Sequence, residues 1–142
     1  MAERMKLSVN TGAIVIDVEN EVGEKLGEFT LNPTDTGILS RRERMAAFLA
    51  GVTLPEGQAE AERMEGIKRL DAAIMEQFNL LLAYDVSDGI FGRCAPLTLL
   101  KNGEFYYQNV LRGIDGLITK AMEKRVADKL KKVDRATAKY HK

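Results

Sequence analysis

GQAEAERMEGIKRLDAAIMEQFNLLLAY, residues 57–84, contains no Pro and one internal glycine, Gly66. Met64, Ile67, Leu70, Ile74, Phe78 and Leu81 recur at steps of three and four. Glu60, Glu62, Arg63, Lys68, Arg69 and Glu76 fall largely outside that line. This spacing predicts one long amphipathic helix with an apolar stripe and a charged face. At 1.5 Å per residue it would run about 40 Å, more than a compact domain of this size needs. Part of the stripe is therefore expected to meet another chain, which makes a homo-oligomer one expectation. The Leu80-Leu81-Leu82 end is apolar on more than one side, as burial against several elements requires.

Upstream, Leu7 and Val9 are candidates for an edge strand. Thr11-Gly12 is a turn signal before Ile14-Val15-Ile16-Asp17-Val18, where Ile14, Ile16 and Val18 share one face. The polar residues 19–24 can turn the chain, and residues 25–31 can return as a second strand. A β-hairpin follows, with Gly27 marking a bulge or a close backbone approach. Pro33 stops the ladder and Thr34 or Asp35 can cap a helix. Ile38, Leu39, Met45, Ala46, Phe48 and Leu49 give that helix an apolar face, and Gly51 ends it. Arg41, Arg42 and Arg44 read as its solvated face, since Glu43 lies among them. Residues 52–57 link to the long helix.

Downstream, two glycines and Pro96 interrupt the helical pattern between Asp85 and Pro96, yet Ile90 and Phe91 need burial, so an ordered connection is expected. Asp85 and Asp88 beside Gly89 lack the alternating ligands and terminal Glu of a calcium loop and read as turn and cap chemistry. Asn102-Gly103 precedes a second helix carrying Val110, Leu111, Ile114, Leu117, Ile118, Ala121 and Met122. Gly113 and Gly116 weaken it by about 1 kcal/mol each relative to Ala, which points to close packing against another helix. Val126 and Leu130 extend the apolar line. Beyond Lys131 the periodicity is lost, so residues 1–130 are expected to form a single α+β domain and residues 131–142 a basic, fraying tail.

A chain of 142 residues with 45% hydrophobic and 30% charged side chains can bury a core without disulfides. Its 21 basic and 21 acidic groups give no whole-protein argument for nucleic acid, although nine of the cations lie from Lys120 onward against three acids. One cysteine, Cys94, and one histidine, His141, leave no material for a zinc cluster or a Cys-His pair, and Cys94 reads as a packed thiol. Glycine-rich phosphate loops and nucleophile elbows are absent as well. These observations point to no catalytic residue, metal or cofactor. Neither a leader's apolar region nor a membrane-length apolar run is visible, so a soluble, cytoplasmic protein is expected.

Several local phrases stand in a fixed order. A β segment leads into Phe29-Thr30-Leu31-Asn32-Pro33-Thr34-Asp35, and a long charged helix follows. Asp88-Gly89-Ile90-Phe91-Gly92 then turns into an aromatic-led helix from Phe105 to Met122, and the end is basic with Lys139-Tyr140. In this order, over nearly its whole length, the chain resembles the small tail-assembly chaperones of long-tailed, siphovirus-like bacteriophages and prophages. The resemblance implies a non-enzymatic protein of virion assembly in the bacterial cytoplasm. It would bind the long, largely helical tape-measure protein, keep it soluble and help recruit tail-tube subunits. Such a chaperone needs apolar grooves for amphipathic helices. The stripes from Met64 to Leu81 and from Tyr107 to Met122 are candidate walls. Met64, Ile67, Ile74, Phe78, Phe91, Phe105 and Tyr106 are then the candidate partner-binding residues, though Met and aromatic side chains at this spacing are more often core than binding surface.

The expected fold is α+β and mainly helical: an N-terminal β-hairpin or small antiparallel sheet, a short helix, then two long helices joined by an ordered connection. A structural virion component, such as a tail terminator or head–tail completion protein assembling as a ring, is the alternative function. A contact of the basic tail with nucleic acid is a weaker one, because no stacked aromatics or recognition helix accompany the charge.

Overall fold

The computed structural model describes residues 3–57 and 59–138. Strand β1 (Ile14–Glu19) pairs antiparallel with β2 (Lys25–Leu31), with Ile14 opposite Leu31 and Ile16 opposite Phe29. The expected hairpin thus forms. Alternation puts Phe29 and Leu31 in the core with Ile16 and Val18 packed on them. Asp17 and Glu28 lie on the exposed face, where the Lys25 ammonium reaches them at 3.4 and 3.6 Å. Asn20 organises the turn: its Oδ1 accepts the N–H groups of Val22 and Glu24, and Gly23 adopts φ +81°.

Register shifts after Val18, which faces Gly27 while Glu19 faces Lys25, so Leu26 is the extra residue of a bulge. Gly27 also meets Gly89 backbone to backbone. A Cβ on either one would overlap the peptide of the facing segment, at the Gly89 carbonyl or at the Glu28 carbonyl. Both readings of Gly27, bulge and close approach, hold. The expected edge strand at Leu7 and Val9 does not form: residues 3–13 have no regular structure, and Leu7 is 89% exposed.

Helix α1 (Gly37–Ala50) buries Ile38 and Met45 and closes at Gly51, whose N–H donates to the Phe48 carbonyl. Asp35 organises its start, one Oδ accepting the Gly37 N–H at 2.9 Å and the other the Arg41 guanidinium at 2.9 Å. The hydrogen bond from Arg41, then that from the Gly37 backbone, hold the Asp35 carboxyl below its ordinary 3.8. A carboxylate depressed in the folded state stabilises above its unfolded pKa and loses that contribution as pH falls through the folded one. Asp35→Asn should therefore melt below wild type at about pH 6, with a smaller gap at about pH 3. Thermal melts at the two pH values read this directly.

Helix α2 (Glu60–Leu82) realises the long helix, burying Ile74, Phe78, Leu81 and Leu82. It stops at Ala83, which takes the left-handed conformation at φ +60°, a place where glycine is usual. Asn79 holds the turn, its Oδ1 accepting the Val86 N–H and its amide donating to Ser87 Oγ. Ala83→Gly should relieve about 1 kcal/mol of strain and raise the urea midpoint. The ordered connection contains α3 (Ser87–Phe91), with Ile90 and Phe91 buried, and an isolated bridge between Leu99 and Phe105.

Helix α4 (Tyr106–Ala138) starts with the Gln108 side chain accepting the Phe105 N–H, one half of a capping box. Leu111, Ile114 and Ile118 face the core. Gly113 and Gly116 do not sit against another helix; an added Cβ at either would meet nothing within 4 Å among the described residues. The helical backbone passes Leu130 and continues to Ala138, so loss of apolar periodicity does not end it. Consecutive amides keep their i−4 partners whatever the side chains face. Part of the expected fraying tail, residues 139–142, lies outside the described residues.

Candidate functional site

The long α2 stripe divides in two. Ile74, Phe78 and Leu81 are wholly buried and Leu70 is half-buried, whereas Ile67 is 39% and Met64 55% exposed. No described element covers the first turns of α2 on that line. Linker residues 52–57 pack elsewhere on the helix, Pro55 lying against Gly66. Between the linker and α2 is an open groove of about 600 Å³, lined by Leu54, Glu62, Glu65 and Arg69 among others.

Of the seven candidate partner-binding residues, four belong to the chain's own core: Ile74, Phe78, Phe91 and Tyr106. Phe91 meets Phe78 edge-on at 5.0 Å, and Tyr106 meets Phe91 edge-on at 5.8 Å, the geometry ring quadrupoles favour. The Tyr106 hydroxyl donates to the Ile90 carbonyl at 2.9 Å, and burial pushes its pKa up to about 12, so it remains a neutral donor. These four side chains fill the junction of α2, α3 and α4 and leave little surface to a partner, although Tyr106 also lines an open cavity of about 800 Å³. Phe105 is half-buried at the rim, stacked on Tyr107. Met64 and Ile67 remain outside.

Two arginines assigned to a wet face join elements instead. Arg41 Nε donates to the Leu81 carbonyl at 2.8 Å while its other arm holds Asp35. Arg42 makes a two-pronged bond to Asp115 of α4 at 2.9 and 3.0 Å. Arg44 alone of the three is exposed. The sequence signal for an inward role was only the position of Arg41 and Arg42 beside the apolar line. Their partners are 40 and 73 residues away.

These ties also orient the helices. Arg41 and Arg42 bring the end of α2 and Asp115 to the same end of α1. Asp71 of α2 accepts the Leu97 N–H, and the neighbouring Pro96 carbonyl accepts that of Tyr107 at the start of α4. The start of α4 is thus tied near Asp71 in the middle of α2, and its Asp115 is tied through α1 toward the end of α2. On α4, Leu117 is 41% and Val126 58% exposed. A third uncovered apolar set, Met5, Leu7 and Val9, precedes β1. Its alternation is visible in the sequence, but its exposure is not.

Among the described residues no cluster of three or more His, Cys, Asp or Glu side chains is placed to hold a metal ion, and no helix is long and apolar enough to cross a membrane. Cys94 is a half-buried free thiol. The chemistry on display is apolar surface framed by charge. Comparisons with family models, with curated proteins and with solved structures return no match.

Proposed function

We propose that the protein is a non-enzymatic tail-assembly chaperone that binds an amphipathic helix of a tape-measure protein and helps recruit tail-tube subunits around it. The observation that carries this reading is the continuation of the α2 core stripe into open solvent at Ile67 and Met64. A stripe that leaves its own core is an apolar surface at helical spacing, the surface a second amphipathic helix packs against. Met64 suits varied partners because its unbranched thioether repacks readily. Glu60, Arg63 and Lys68, each one turn from Met64 or Ile67 and exposed, surround that part of the stripe with charge that keeps it wet when unoccupied. The resemblance in the order of elements supplies the identity of the partner.

The test is co-expression with tape-measure and tail-tube proteins encoded nearby, followed by pull-down and mass measurement. A tape-measure protein that precipitates alone should remain soluble in complex. Met64→Asp with Ile67→Asp should weaken capture at least about tenfold, because a carboxylate would be desolvated at each contact, while the melting temperature stays within a few degrees. Equal capture by this double variant would refute the assigned surface. Failure to bind, with the chain present at fixed copy number in purified virions, would favour a structural component instead.

A further inference from the structure

Residues 3–10 leave the hairpin without a partner. They have no regular structure, and Met5 is 90%, Leu7 89% and Val9 67% exposed. The sheet they precede has only two strands, so one edge of β1 pairs with no described strand. Ile14, at 48% exposure, and Val15, at 63%, lie on that open strand. Every copy thus carries both an alternating extended segment and an unpaired strand edge, the two halves of a β-addition.

Their side chains match in one antiparallel register. With Leu7 opposite Ile16, Met5 falls opposite Val18 and Val9 opposite Ile14, so three apolar side chains extend the face that covers the core. On the other face Arg4 then lies opposite Glu19 and Lys6 opposite Asp17. A parallel arrangement retains the apolar matches but loses both charge pairs. A slip of one residue turns the apolar set to the acidic face. Asp17 and Glu28 share the single Lys25 and Glu24 is held by Arg93 at 2.9 Å, while Glu19 and Glu21 are exposed beside them, so the β1 end of the hairpin carries acid that two more cations would offset.

The segment does not turn back on its own sheet. Asn32, just past β2, donates its side-chain N–H to the Thr11 carbonyl at 2.7 Å, and Gly12 lies beside Thr34. Thr11 and Gly12 are therefore held on the β2 side, and among the described residues no hydrogen bond joins residues 3–9 to the open edge of β1. Asn10 Oδ1 and Thr11 Oγ1 fix this path by accepting the N–H groups of Gly12 and Ala13.

We infer that residues 4–9 of one copy add to the open edge of β1 in a second copy as an antiparallel third strand, and that the exchange is reciprocal. Reciprocity follows because each copy offers the same segment and the same edge, which closes under twofold symmetry.

The experiment uses the full chain with Cys94→Ser, so that only introduced thiols react. Ser8 and Val15 are opposite each other in the register, and both are exposed. Mixing a Ser8→Cys chain with a Val15→Cys chain under mild oxidation should give a disulfide-linked heterodimer. Ser8→Cys with Thr30→Cys should not, because β2 lies one strand further off, about 10 Å from the added strand. Sedimentation of the unmodified protein should show a dimer whose dissociation constant rises about tenfold in Lys6→Glu, where like charges face each other in both halves. A monomer at about 100 µM, a linkage to Thr30→Cys instead, or a bridge within a single chain of the Ser8→Cys, Val15→Cys double variant would each overturn the proposal.

Discussion

Gly89→Ala should lower stability by roughly 3 kcal/mol or more, and the melting temperature by about 10 °C, although it adds only one methyl group to the short helix α3. The Cβ would be directed at the Glu28 carbonyl, and its neighbours in the seam are peptide atoms that no rotamer change can move. Relief requires α3 to lift from β2. Such a shift would withdraw Ile90 and Phe91 from the core, because both flank Gly89 on a five-residue helix. Gly27→Ala attacks the same seam from the other side, where the Gly89 carbonyl stands in the way. The two substitutions should be strongly non-additive, since the helix need lift only once. Urea titrations of both single variants and the double variant measure this. A loss under about 1 kcal/mol for Gly89→Ala would mean that α3 does not press on β2 as described.

That seam also shows what could be read in the sequence. Gly27 inside a run of strand residues was a signal for a bulge or a close approach, the two uses a strand interior has for a missing side chain, and it serves both. Its partner was not legible, since Gly89 lies 62 positions later in what reads as a turn. The hairpin, both long helices and the ordered connection follow from periods of two and 3.6 and from Gly and Pro punctuation. Arg41 and Arg42 were misread because local pattern ranks arginine as wet, while their carbonyl and carboxylate partners come from distant elements. Gly113 and Gly116 were misread in the opposite sense: small residues permit close packing but do not create a neighbour. Leu7 and Val9 have strand alternation without a strand, because pairing needs an edge within reach and Asn32 holds Thr11 on the β2 side.

Periodicity was least able to divide the α2 stripe into a part that serves this chain and a part left for another. Met64, Ile67, Ile74 and Phe78 are equivalent by spacing, and only the packing separates them. Phe78→Ala should cost about 4 kcal/mol, because its ring is wholly buried and edge-on to Phe91, so its removal leaves a cavity the surrounding helices cannot fill. The urea midpoint should fall accordingly and near-ultraviolet dichroism should weaken. Met64→Ala and Ile67→Ala should each stay within about 0.5 kcal/mol of wild type, as expected for exposed positions. A small loss for Phe78→Ala would place its ring outside the true core and return it to the set of binding candidates. A large loss with unchanged stability at Met64 and Ile67 would mean that the half of the stripe nearer the start of α2 has no structural duty within this chain. Large apolar side chains without structural duty, held in helical register beside the core, are what the proposed partner helix requires.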